Sequence, residues 1–321
     1  MLGGGVIGLT TALVLAEQGD RVELWSKEFS PHTTSDVAAA FWYPYEAYPI
    51  EKVTAWAMES YSKFQTLQKD DDAGILPRQL VHYFRSEVVT PGWSGVTHNY
   101  AESKVDAIAG YQSAFSFNTF VIDMTIYMTY LSRKCQGAGV KCVVREVTDM
   151  DDISDDVKLI INCTGLGSKD LFADQELVPA KGQVVRIPLT SSEERIILCD
   201  SDLEKFKMIV PRMNDVVLGG TYQHTSDLAV DPEETRRILS DCRQLWPSLV
   251  AEVETQVVLG STAGLRPCRP TVRLEVQNCE DNRRIIHNYG HGGAGVTLSW
   301  GCAEDVAAFA RISIAPDSNY S

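Results

Sequence analysis

The chain of 321 residues has no apolar run approaching the eighteen or so residues that cross a bilayer, so no membrane-spanning helix is expected. Basic residues are in deficit: 29 Lys and Arg face 43 Asp and Glu, for a net charge of −14. That balance argues against nucleic acid or an anionic membrane as partner. Eight cysteines are scattered, none in C-x-x-C and none beside histidines at zinc spacing. Buried reduced thiols and no metal site are the expectation. There is no internal repeat and no low-complexity tail. No signal peptide precedes the first glycines, and Asn319-Tyr320-Ser321 is not a peroxisomal address, so the cytoplasm is the expected compartment. Composition leaves a homodimer open.

What is present begins with Gly3-Gly4-Gly5-Val6-Ile7-Gly8, a G-x-G-x-x-G turn running into the helical LTTALVLAEQG and then a strand, RVELW. Such glycines allow a tight turn and close approach of a pyrophosphate to a helix N-terminus. Glu28, twenty residues beyond Gly8, lies within reach of a ribose hydroxyl, and Glu23 is a poorer candidate. The turn should follow a buried strand, yet only Met1 and Leu2 precede it. A strand rises about 3.3 Å per residue. Roughly four to eight further N-terminal residues, mostly Val, Ile or Leu, are therefore expected in the natural protein.

The other end carries AGLRPCRPTVRLE (Ala263 to Glu275) and HNYGHGGAGVTLSWG (His287 to Gly301). Read alone, these are two arginine-rich turns and a glycine-rich helix entry. Arg266, Arg269 and Arg273 are fork-shaped cations, and a bare helix start favours negative charge. A second anion site is expected there. Helical patterns at 49–69, 125–136, 232–246 and beyond Val296 alternate with strand patterns at 80–84, 140–147 and 157–165. From Gly182 the chain turns β-rich. The expectation is an α/β protein: a dinucleotide-binding domain interleaved with a β-rich substrate-binding domain.

End to end the chain resembles the FAD-dependent D-amino-acid oxidases. The resemblance rests on GGGVIGLTTA, TTSDVAAAFWYPY, VIDM, NCTG, VVLGGTY, GLRPCRPTVRLE and HNYGHGGAGVTLSWG, in the family's order. It implies an FAD-binding Rossmann-like domain from residues 1–48, 121–180 and 260–321, and a substrate-binding or cap domain from 49–120 and 181–259. By the same resemblance Gly3, Gly5, Val6, Ile7 and Gly8 cradle the FAD pyrophosphate. Ser26, Lys27 and Glu28 lie near the adenosine ribose, where relatives often place an aspartate. Thr33, Thr34 and Ser35 offer hydroxyls to the phosphates, although an ordinary capped turn would look the same. Ala38, Ala39, Ala40 and Phe41 run beside the flavin ring. Val147, Thr164 and Gly165 match positions near the adenine. Gly290, Gly292, Gly293, Ala294, Gly295, Val296 and Thr297 reach the flavin pyrimidine, with His291 in the flavin wall.

The resemblance makes Arg266 the anchor of the substrate carboxylate and the Gly293 carbonyl the acceptor of its amine. Arg273 supports the flavin or its strand, and Arg269 is a structural pair. The sequence departs from the family at the substrate: Met208 and Glu204 stand where relatives carry tyrosines, and Tyr43 where mammalian relatives carry glutamine. Tyr222 occupies a pocket position that tends to be arginine in oxidases of D-aspartate, which speaks for neutral or apolar substrates. The implied reaction turns a D-amino acid and dioxygen into a 2-oxo acid, ammonia and hydrogen peroxide by hydride transfer. A D-aspartate-type oxidase, an NAD-dependent dehydrogenase and a flavin-binding protein without turnover are the rival readings.

Overall fold

The computed structural model describes residues 1–105, 110–190, 192–199, 206–251 and 254–312. Glu204 and the C-terminal tripeptide lie outside the described residues. The first helix, α1 (Val6–Glu17), is apolar on every side and buried from Val6 to Leu15 apart from Ile7, as expected of a helix enclosed by protein. The strand β1 (Glu23–Ser26) pairs in parallel with β5 (Lys141–Val144). The slot beside β1 is held by Met1–Gly3. Leu2 bridges Trp25 of β1 on one side and Asn162 of β6 (Leu159–Asn162) on the other. Four backbone hydrogen bonds fix it: Leu2 N to Ile161 O, Cys163 N to Leu2 O, Gly3 N to Trp25 O and Trp25 N to Met1 O, all 2.8–2.9 Å.

The remaining strands form a ten-stranded mixed sheet in the order β3-β4-β2-β8-β9-β10-β7-β11-β12-β6. One end joins β2 (Ile75–Phe84), β3 (His98–Lys104) and β4 (Ser113–Ile122). The middle holds β7 (Val178–Pro188), β8 (Ile196–Cys199), β9 (Lys207–Pro211) and β10 (Asp215–Gly219). The far end holds β11 (Gly260–Asn278) and β12 (Arg284–His291), the latter parallel to β6. Against this framework lie α2 (Ile50–Leu67), α3 (Met124–Gly137), α4 (Ser168–Leu171), α5 (Pro232–Leu245) and α6 (Gly295–Arg311). Asp123 starts α3 by accepting from the Thr125 amide, and Asp231 starts α5 by accepting from Glu233. Both helices begin near their expected residues for that reason.

The region after β2 contains β3 and β4, whose aromatic positions Phe115 and Phe117 are buried in the main core. One expectation is corrected. The arginine-rich segment is not a pair of turns but the 19-residue strand β11. Its prolines misled because proline breaks most ladders. Here Pro267 faces Pro179 of β7, and an antiparallel ladder contains pairs that exchange no N–H bonds. The register of β11 against β12 then shifts between Cys268 and Arg273, the stretch that contains Pro270.

The helix α6 packs on both α1 and α2. Gly301 makes the second contact possible: a Cβ there would collide with the Trp56 backbone of α2. Gly301→Ala should therefore destabilise the fold by about 2 kcal/mol, as overpacking does. Urea denaturation checks this, and an unchanged midpoint would refute the close helix crossing.

Candidate functional site

The turn between Leu2 and α1 has almost no room for side chains. A Cβ on Gly3 would collide with the Cys163 carbonyl, and one on Gly8 with the Gly3 carbonyl; Gly3 also has φ 104°. Gly5 approaches Ser35 Oγ, which accepts from the Val6 amide at 3.0 Å. Ser26 Oγ accepts from the Gly4 amide at 3.0 Å and donates to the Glu28 carbonyl at 2.6 Å. Beyond that Ser35 contact with the Val6 amide, no side chain caps α1 among the described residues, its N-cap being Gly5. A helix N-terminus with bare backbone is thus presented beside β1, the arrangement that suits a phosphate. Lys27 and Glu28 are exposed at its edge.

Of the hydroxyls expected beside it, Thr33 is committed to a capping box: its amide and Oγ1 donate to Asp36 at 2.8 and 2.6 Å. Ser35 faces α1, and the exposed Thr34 sits with Val37 near Gly264 of β11. Ala38–Phe41 is pinned to the end of β4, where Ile122 N donates to the Ala40 carbonyl and Phe41 bridges Val121. Thr164 Oγ1 donates to Asn162 at 2.8 Å, and Gly165 takes φ 56°. Val147 packs against the small cluster around Leu2.

The three arginines of β11 have different fates. Arg269 pairs with Asp174 at 3.0 Å and with Glu176. Arg273 donates to Glu275 and Tyr289, both at 2.7 Å, and lies 3.6 Å from Asp174. Arg266 has no carboxylate partner among the described residues; its Nη1 donates to the Thr221 carbonyl at 3.1 Å. The Tyr222 and Phe206 rings lie 5.4 and 5.9 Å from its guanidinium, within cation–π range. Burial lowers its pKa, opposed by Tyr45, Cys268 and Tyr222. An enclosed cation without a counterion is costly, so this place favours an anionic ligand.

The turn Gly290–Ala294 adjoins it. Gly290 and Gly292 have φ 81° and 55°, and Gly293 backs onto both Tyr45 and the Arg266 side chain. Gly295 opens α6 behind Ala294, followed by the buried Val296 and Thr297, whose Oγ1 donates to the Tyr43 carbonyl at 3.1 Å. His291 is buried, and its Nε2 has no hydrogen-bond partner among the described residues. The Tyr43 hydroxyl shares a 3.0 Å hydrogen bond with His82, amid Trp93 and Phe117. Met208 is buried in the core with its methyl against Gly219. Sequence reading missed Tyr45, Phe206, Gly182 and Thr221. Only the tyrosine-rich WYPY run hinted at the first; Gly182 comes to Arg266 through strand register, and Phe206 and Thr221 from the segments just outside β9 and β10.

The profile of the family described as DAO, FAD dependent oxidoreductase, matches residues 2–309. The D-amino-acid oxidase of Rubrobacter xylanophilus is 36% identical over 98% of this chain and 96% of its own length. This chain belongs to the DAO family of FAD-dependent oxidoreductases. Human D-aspartate oxidase, 31% identical over 96% of this chain and 92% of its own, is also similar. The crystal structure of glycine oxidase from Bacillus cereus shares the fold, with a TM-score of 0.77 at 18% identity, covering 95% of this chain and 94% of that one. As a member of this family the protein uses FAD. The turn fits that cofactor, because a Cβ would fill the space beside Gly3 and Gly8 and the N-cap of α1, Gly5, offers no side chain of its own.

Two histidines on β12 of this DAO-family chain resist protonation. Burial lowers His291 to about 3 and, with Arg273 second, His287 to about 4. Both are neutral in the folded state at pH 5, whereas unfolded histidine protonates near 6.5. The unfolded chain then binds more protons, so stability falls as pH drops from about 6.5 towards 4. Urea unfolding at pH 7 and pH 5 should show the loss, and His291→Gln should reduce it. Equal stability at the two pH values would contradict the burial of both rings.

Proposed function

We propose that this enzyme oxidises D-amino acids with neutral or apolar side chains to 2-oxo acids and ammonia, with dioxygen reduced to hydrogen peroxide. The observation that carries the reading is Arg266, a half-buried guanidinium beside a glycine turn and without a carboxylate of its own among the described residues. A fork of N–H donors is matched to a substrate carboxylate. Arg266 holds that group, and the Gly293 carbonyl accepts from the substrate amine. Two fixed points orient the Cα–H, and orientation carries much of such a rate. No side chain need act as base when the amine is neutral, and His291, its pKa near 3, is assigned no proton transfer. FAD, when bound, supplies the hydride acceptor.

Gly3, Gly5, Val6, Ile7 and Gly8 would hold the FAD pyrophosphate, with Ser35 behind them. Ser26, Lys27 and Glu28 would lie at the ribose, Val147, Thr164 and Gly165 at the adenine, and Ala38–Phe41 and Gly290–Thr297 at the flavin ring. Arg273 acts through its strand, its Nε held by Glu275 and its Nη1 by Tyr289. Residues 1–48, 121–180 and 260–321 form the cofactor half, and 49–120 and 181–259 the substrate half. The strand β11 ties them, pairing with β7 over Gly260–Cys268 and with β12 over Cys268–Asn278. We place the protein in the cytoplasm, where its eight free thiols stay reduced.

A D-aspartate-type site would need a second cation. Arg212 is held by Asp215 at 2.7 Å and Asp123 at 3.6 Å, and Lys207 lies 3.6 Å from Asp241. The groups around Arg266 are instead Tyr45, Phe206, Tyr222 and Cys268. An oxygen-uptake panel should therefore rank D-Ala, D-Val, D-Met or an aromatic D-amino acid above D-Asp. D-Asp as the best substrate would overturn the pocket reading. Arg266→Ala should retain flavin while KM rises about 30-fold or more, the loss of roughly 2 kcal/mol of charged hydrogen bonding. Unchanged steady-state kinetics in this variant would remove Arg266 from the site.

A further inference from the structure

We infer that Gly182 is a positioning residue for Arg266: its missing side chain is the seat on which the guanidinium lies. The inference rests on the assignment of Arg266 as carboxylate anchor. In the antiparallel ladder of β7 and β11, Arg266 stands opposite Ala180 and Gly264 opposite Gly182. Alternate residues of a strand share a face, so Ala180 and Gly182 present the same face of β7 to the Arg266 side chain. A Cβ on Gly182 would lie 2.5 Å from both Nη1 and Nη2 and 2.6 Å from Cζ. All three clashes are with the guanidinium plane, and no other group is among the nearest atoms.

The backbone itself does not demand glycine here. Gly182 lies inside a regular strand, and it is absent from the residues with positive φ. Its requirement is therefore set by the cation alone. On the other side, the Thr221 carbonyl accepts from Nη1 and the Tyr222 ring stands 5.4 Å from Cζ. The Tyr222 hydroxyl is in turn held by Cys268 Sγ at 3.3 Å. Floor, acceptor and wall leave the guanidinium one resting place. A methyl on the floor lifts it, breaks the Thr221 contact and misaligns the fork.

The test is Gly182→Ala in the flavin-loaded protein, alone and combined with Arg266→Ala. The probe is benzoate, a carboxylate with no amine and no Cα–H, titrated by calorimetry. Gly182→Ala should weaken benzoate at least about 10-fold, in the range of a charged hydrogen bond. It should raise KM for D-alanine by a similar factor, with a smaller change in kcat. In the Arg266→Ala background the added methyl no longer meets the guanidinium, so Gly182→Ala should change neither benzoate affinity nor melting temperature. Wild-type benzoate affinity in Gly182→Ala would overturn the seat while leaving Arg266 as the anchor. The same melting-temperature loss with and without Arg266 would also overturn it, and this holds even if the single variant folds poorly. A wild-type protein that binds neither benzoate nor D-alanine would instead defeat the anchor reading, and the seat with it.

Discussion

The structure turns on a positive charge held away from water with no carboxylate beside it among the described residues. Taking a guanidinium out of water costs several kcal/mol unless a partner compensates. Arg269 and Arg273, three and seven residues further along the same strand, have such partners in Asp174, Glu176 and Glu275. Arg266 has one carbonyl and flanking aromatic rings. The contrast within one strand separates Arg266 from its two paired neighbours better than any property of the residues in isolation.

The fold keeps that cation in place by giving it a strand with two neighbours. Its half of β11 pairs with β7, while the following half pairs with β12, whose end turns through Gly290–Ala294 into α6. The nucleotide turn is built at the opposite margin by Met1–Gly3, wedged between β1 and β6. Since β12 pairs with β6, a continuous run of strands joins Arg266 to the Gly3–Gly8 turn. Both proposed anion sites are thus carried by backbone hydrogen bonds rather than by loops.

Much of this was legible in the residues. The Gly3–Gly8 turn and α1 stand where spacing puts them, because glycine at Gly3 and Gly8 answers a local steric demand. The start of α3 follows from Asp123 in the same way. The strand β11 was not legible, because its prolines carry a local turn signal that the pairing with Pro179 overrides. At the site, Arg266 was readable from its motif. Phe206 and Thr221 reach it from segments distant in sequence, which leaves no trace locally, and only the WYPY run hinted at Tyr45. Gly182 looked like an ordinary strand glycine until the guanidinium was found resting on it. Thr33, attractive as a phosphate ligand, is bound to Asp36, the alternative its sequence context already contained.

The most direct measurement compares two reductants that differ only in the group Arg266 is held to recognise. The flavin-loaded protein is mixed without air with D-alanine or with D-alaninamide, and the visible flavin band is followed. D-alanine should bleach it rapidly, and the amide, which lacks the anionic carboxylate, at least about 30-fold more slowly at the same concentration. Equal bleaching by both, or none by either, would contradict the assignment of Arg266 as the carboxylate anchor of a D-amino-acid oxidase.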